Sequence, residues 1–143
     1  MIMFRRENGL QTALVMALRA SGLRAIEEFP LLGSVADVFA IAPSGETAAY
    51  ECKMSDWRRA ISQARRHLPV CDRVYVVMPR RPYAVMPASS FVEGGVGLIL
   101  VDEAGPSIVV PANSTTGYLI PELHARAVKQ FGTRVATFSL VHS

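Results

Sequence analysis

Lysine, cysteine and tryptophan are scarce in this chain: of 143 residues, two are lysine (Lys53 and Lys129), two are cysteine (Cys52 and Cys71) and one is tryptophan. The cysteines form no Cys-x-x-Cys pair, so the sequence offers neither a disulfide framework nor a thiolate zinc site. Reduced thiols in a reducing compartment are expected. No apolar run reaches the roughly 18 residues of a membrane span, because Arg19, Arg24 and Asp102 interrupt the longest candidates. The charges at Arg5, Arg6 and Glu7 fall where a signal peptide needs an apolar core, which predicts a soluble, cytoplasmic protein with no membrane partner. His67, His124 and His142 lack metal-ligand spacing. Gly-x-Ser-x-Gly, Walker and dinucleotide fingerprints are missing, and Gly94-Gly95-Val96-Gly97 leads into a strand where a phosphate loop would lead into a helix. Repeats and linkers are missing too, so residues 1–143 read as a single domain.

What is present is apolar material and arginine. Half the residues are hydrophobic, 19% are charged and the mean hydropathy is +0.26, ample for one packed core. The net charge of +3 is uneven: residues 1–81 hold twelve Lys and Arg against eight Asp and Glu, and residues 82–143 hold three against four. Doublets at Arg5-Arg6, Arg58-Arg59, Arg65-Arg66 and Arg80-Arg81 suit bidentate phosphate contact and place an anionic partner against the first half.

Periodicity predicts a helix from Glu7 to Leu23, with Leu10, Leu14, Ala17 and Leu18 on one stripe and Gly22 as its stop. A short strand over Arg24 to Phe29 ends before Pro30 and Gly33. Val35–Ile41 and Thr47–Lys53 read as a hairpin around Pro43-Ser44-Gly45-Glu46, and Ser55 as the cap of a helix over Asp56 to Leu68. Arg73–Pro79 is almost wholly apolar, as a central strand should be. After a proline-rich connection, 97–102 and 107–110 form a strand pair, and Pro121 opens a helix that Gly132 should end; the tail from Thr133 stays open between strand and extension. The predicted fold class is α/β, bordering on α+β, with a mixed central β-sheet flanked by helices.

Asp37, Glu51 and Lys53 stand out because each interrupts an apolar strand, where an uncompensated charge is costly. Alternation puts Glu51 and Lys53 on one strand face and Cys52 on the other. Two carboxylates beside each other suit a hard divalent cation, and a lysine there can orient or help ionise a water. A two-residue Ser44-Gly45 loop would set Asp37 opposite Cys52, on the wrong face. A shared site therefore requires a three-residue loop or a bulge, with Gly45 supplying the unusual backbone angle.

Asp37, thirteen intervening residues, then Glu51-Cys52-Lys53 closing a strand that leads into a helix bearing Gln63 and on to a further strand, resembles the PD-(D/E)XK nuclease superfamily. The resemblance implies a restriction-endonuclease-like core and a hydrolase that cuts phosphodiester bonds with Mg²⁺ or Mn²⁺, DNA being the expected substrate. It also implies that Asp37, Glu51 and the Cys52 backbone carbonyl hold the metal while Lys53 assists the attacking water. Members with a Gln-x-x-x-Tyr motif on the next helix make Gln63 a further catalytic candidate; His67 stands where that motif has Tyr, and Ala36 where a proline often precedes the aspartate. Many members add a glutamate from the first helix, for which Glu7 is the candidate, with Glu27 and Glu28 as others on the first strand.

On the helix after the motif, Asp56, Gln63 and His67 share one edge of the buried stripe. Arg58, Arg59, Arg65 and Arg66 are the candidate nucleic-acid contacts. The competing reading is a nucleic-acid-binding module with the same fold and no catalysis. A third is an assembly protein whose hydrophobic second half makes a homo-oligomer.

Overall fold

The computed structural model describes residues 7–81 and 86–142, and among these the side chains of 7–81 and 86–134. The Arg5-Arg6 doublet and most of the proline-rich connection (82–85) lie outside the described residues. Helix α1 spans Glu7–Ala20, followed by strands β1 (Arg24–Leu31), β2 (Ser34–Ile41) and β3 (Thr47–Cys52). Helix α2 (Trp57–Ala64) ends in a 3₁₀ turn at Arg65–His67, after which come β4 (Arg73–Pro79), α3 (Ala88–Gly94), β5 (Gly97–Asp102), β6 (Gly105–Val110) and α4 (Pro121–His142).

The six strands form one sheet in sequence order. β3, β4 and β5 are mutually parallel, while β1, β2 and β6 join as antiparallel neighbours. This is the expected mixed sheet flanked by helices, on the α+β side of the border. Alternation divides its side chains between two cores. Phe39, Ile41, Ala49, Val74 and Val76 pack with Ala60, Ile61 and Ala64 of α2 and with Ala127 and Phe131 of α4. Val38, Ala40, Ala48, Tyr50 and Cys52 pack on the other face against Leu10, Leu14 and Val15 of α1. Phe29, Phe39 and Phe131 interlock, with ring centroids 4.6 to 5.9 Å apart, and fix α4 over β1 and β2.

Several boundaries differ from the sequence expectation. Pro30 does not end β1, because an edge strand tolerates a missing donor; β1 runs to Leu31 and turns into β2 through Leu32 and Gly33, both with positive φ. Asp56, not Ser55, caps α2, its carboxylate accepting from the Arg59 N–H at 3.3 Å. The stretch before Gly94 folds into α3, and Gly95 is its left-handed stop at φ 77°. α4 passes through Gly132 and continues to His142, so the tail is helical.

Opposite the site, Asp72 ties separate segments together. Its Oδ2 accepts from Thr47 N (2.8 Å) and Thr47 Oγ1 (3.0 Å), and lies 3.1 Å from His124 Nε2 of α4. Burial alone would raise this carboxyl, but the bonds from Thr47 and His124 outweigh it and hold Asp72 below its ordinary range.

Candidate functional site

The β2–β3 connection is the three-residue form. Ala42 N–H donates to Glu46 O (2.9 Å), Gly45 N–H donates back to Ala42 O (2.8 Å), and Gly45 takes φ 91°. Val38 consequently pairs with Tyr50 and Phe39 with Ala49, and the same register sets Asp37 across from Glu51. Both acids then fall on the sheet face that α2 and α4 cover.

Asp37 Oδ2 accepts the Cys52 N–H at 2.8 Å, which stitches the end of β3 to the start of β2. Burial, then the Glu51 charge beside it, raise the Asp37 carboxyl from 3.8 to about 7 despite that bond. The two acids therefore resist ionising together unless positive charge joins them. Glu51 is buried and bonded through Oε1 to His67 Nε2 at 2.5 Å. Burial and the surrounding carboxylates push the Cys52 thiol well up, so it is an inert core group and only its backbone serves the site.

Strand β3 ends at Cys52, and Lys53 begins the connection to α2, its N–H donating to Val77 O at 2.9 Å. Among the described residues its ion-pair partner is Glu7 of α1, 3.8 Å away, and not Glu51. Glu7, the first-helix candidate, is thereby placed beside Lys53. Glu27 and Glu28 stand near it: Gln11 of α1, with its amide nitrogen facing them, reaches Glu28 Oε1 at 3.1 Å and Glu27 Oε1 at 3.3 Å. Among the described residues no three acidic, histidine or cysteine groups close into a ready-made cation cage.

Gln63 is half-buried on α2, and among the described residues its amide makes no hydrogen bond to the acidic pair. The arginines of this helix divide into two kinds. Arg58 lies over the Trp57 ring at 4.4 Å, while Arg65 donates to the Gly94 carbonyl and covers Tyr118, so both do structural service. Arg59 and Arg66 are exposed, and their guanidinium groups have no acidic partner among the described residues. Arg81 reaches Met54 O at 3.4 Å, next to Lys53, and Arg80 pairs with Asp102 at 3.3 Å.

Two residues that sequence reasoning did not place in the site belong to it. Gln11 is buried beside Leu10 and Leu14, and that polar interruption of an apolar stripe was its signal. His67 was visible on the inward edge of α2, without anything to show that its partner would be Glu51.

No protein-family model matches the chain, and no curated protein matches it. Among solved structures, a protein of unknown function from Silicibacter pomeroyi superposes with a TM-score of 0.71 at 27% identity, over 94% of this chain and 90% of that one. A repair endonuclease from Pyrococcus abyssi superposes with a TM-score of 0.50 at 17% identity, over 68% of this chain and 48% of that one. The second likeness shows a shared fold: the mixed sheet flanked by helices is one that a repair endonuclease also uses.

Proposed function

We propose that this chain is a divalent-metal-dependent nuclease that hydrolyses phosphodiester bonds, with DNA as its substrate. One observation carries the reading: the hairpin register sets Asp37 and Glu51 side by side, and burial together with the Glu51 charge raises Asp37 to about 7. A pair of acids held this way fits a cation. Asp37 and Glu51, with the Cys52 carbonyl, would hold Mg²⁺ or Mn²⁺. When bound there, the group would supply positive charge against the charge developing on the phosphate and would help a water act as nucleophile near neutral pH.

The chain's own groups account for the rest. Glu7 keeps the Lys53 ammonium at the rim, partly open to solvent, where it can contact a phosphate oxygen or hold the attacking water. Arg59 and Arg66, exposed and without an acidic partner among the described residues, supply contacts along the substrate backbone. The runner-up, a binding module without catalysis, is favoured by the lack of a third closing ligand among the described residues.

Labelled duplex and single-stranded DNA incubated with Mg²⁺, with Mn²⁺ and with chelator test the reading. Asp37→Ala and Glu51→Ala should lose cation binding and cleavage together. Lys53→Ala should keep cation and DNA binding while cleavage falls by about 10²-fold or more, the usual scale for losing a positioned proton-handling group. Wild type that binds DNA but never cuts it would establish the binding module instead.

A further inference from the structure

His67 takes no part in the chemistry just described, yet it is among the most deeply buried polar side chains of the fold. It closes the 3₁₀ turn after α2, 1% exposed, with Nε2 2.5 Å from Glu51 Oε1. Its other ring nitrogen, Nδ1, is buried with no hydrogen-bond partner among the described residues. A second buried polar group against a buried carboxylate is costly unless the two bond well.

The orphaned nitrogen assigns the tautomer. A ring N–H at Nδ1 would be a buried donor with nothing to accept it, which costs the full desolvation of that group. With the hydrogen on Nε2, it donates to Glu51 Oε1, and Nδ1 keeps only an unused lone pair. Glu51 then has Oε1 committed to His67 and keeps the rest of its hydrogen-bonding capacity for the side it shares with the Asp37 carboxyl. Sixteen residues separate the partners in sequence, so the bond also ties the end of α2 to the strand that carries the acid.

We infer that His67 is the positioning residue of Glu51: its Nε2–H pins Oε1, fixes the rotation of the carboxylate and leaves the second oxygen for the cation. The inference rests on the cation-binding reading of Asp37 and Glu51. Partners of this kind orient ligands that touch the metal, and removing one typically costs 10- to 100-fold in metal affinity. A purely structural role, holding α2 to the sheet, predicts no such loss in a variant that still folds.

Mn²⁺ titration without substrate separates the two. His67→Leu fills the space without a donor and should bind Mn²⁺ about tenfold or more weakly than wild type; His67→Gln restores a donor and should remain within about threefold of wild type. Thermal melts check that each variant is folded. Ring ¹⁵N spectra of the metal-free wild type should show hydrogen on Nε2 and a bare Nδ1, and if His67→Leu does not fold, His67→Phe takes its place in the titration. Equal Mn²⁺ affinity in wild type and folded His67→Leu, or hydrogen on Nδ1, overturns the inference while the cation site stands. Wild type that binds no Mn²⁺, with Asp37→Ala and Glu51→Ala indistinguishable from it, removes the cation site and the inference with it.

Discussion

Asp37 is caught between a bond that favours its charge, from the Cys52 N–H, and burial beside Glu51, which opposes it more strongly. Its folded-state value, about 7, lies above the ordinary 3.8, so the folded protein keeps a proton that the unfolded chain has released. Stability from this group is fully present below about pH 4 and is lost as pH rises through about 7. Asp37→Asn keeps an oxygen for Cys52 and removes the charge. In chelator, it should therefore melt higher than wild type at pH 8, with the difference shrinking towards pH 5; equal differences at both would contradict the assignment. The acidic pair was legible because charges inside apolar strands have few innocent explanations. The partners were not legible. Whether Lys53 pairs with Glu7 or Glu51 depends on where β3 stops, and the His67–Glu51 bond depends on how α2 lies across the sheet; neither is written in local spacing.

Elements with a strong period were readable, and those set by their surroundings were not. β4, apolar along nearly its whole length, lies between β3 and β5 with helices on both faces, as its composition requires. α3 has seven residues, too few for a helical period to show, and exists because Phe91 is buried between the sheet and α2. α4 overrides Gly132, whose helical penalty is only about 1 kcal/mol, because Ala127 and Phe131 anchor the preceding turns. Gly97 shows the same dependence on neighbours. A Cβ there would lie 2.6 Å from the Tyr75 ring and 2.7 Å from the Ala112 nitrogen. Gly97→Ala should cost about 2 kcal/mol in urea unfolding. Mn²⁺ affinity should be unchanged, since β4 stands between Gly97 and the strand that carries Glu51; an undestabilised variant would mean that β5 shifts freely.

At the scale of the molecule, the charge imbalance between the chain's halves resolves into a site built wholly from residues 7–67, on a sheet that the second half completes and covers. Sequence alone offered Arg58, Arg59, Arg65 and Arg66 as nucleic-acid contacts, but Arg58 and Arg65 are spent on Trp57, Tyr118 and Gly94. Arg59→Ala with Arg66→Ala should therefore lower the salt slope of duplex binding by about 2, at roughly 0.9 per lost phosphate contact, while Arg58→Ala leaves it unchanged. An unaltered slope in the double variant would remove α2 from the DNA path. The Asp72 clamp, at the far end of the sheet, answers acid in the opposite sense to Asp37. Its carboxyl is held below its ordinary value, so its contribution is intact above about pH 4 and fades as pH falls through the lowered value. Between them the two acids give the metal-free molecule a stability curve that peaks on the sour side of neutrality and sags on the alkaline side. A cation seated beside Asp37 would flatten the alkaline limb alone, so a series of melts across pH, with and without Mg²⁺, reads the state of the site before any substrate has been chosen.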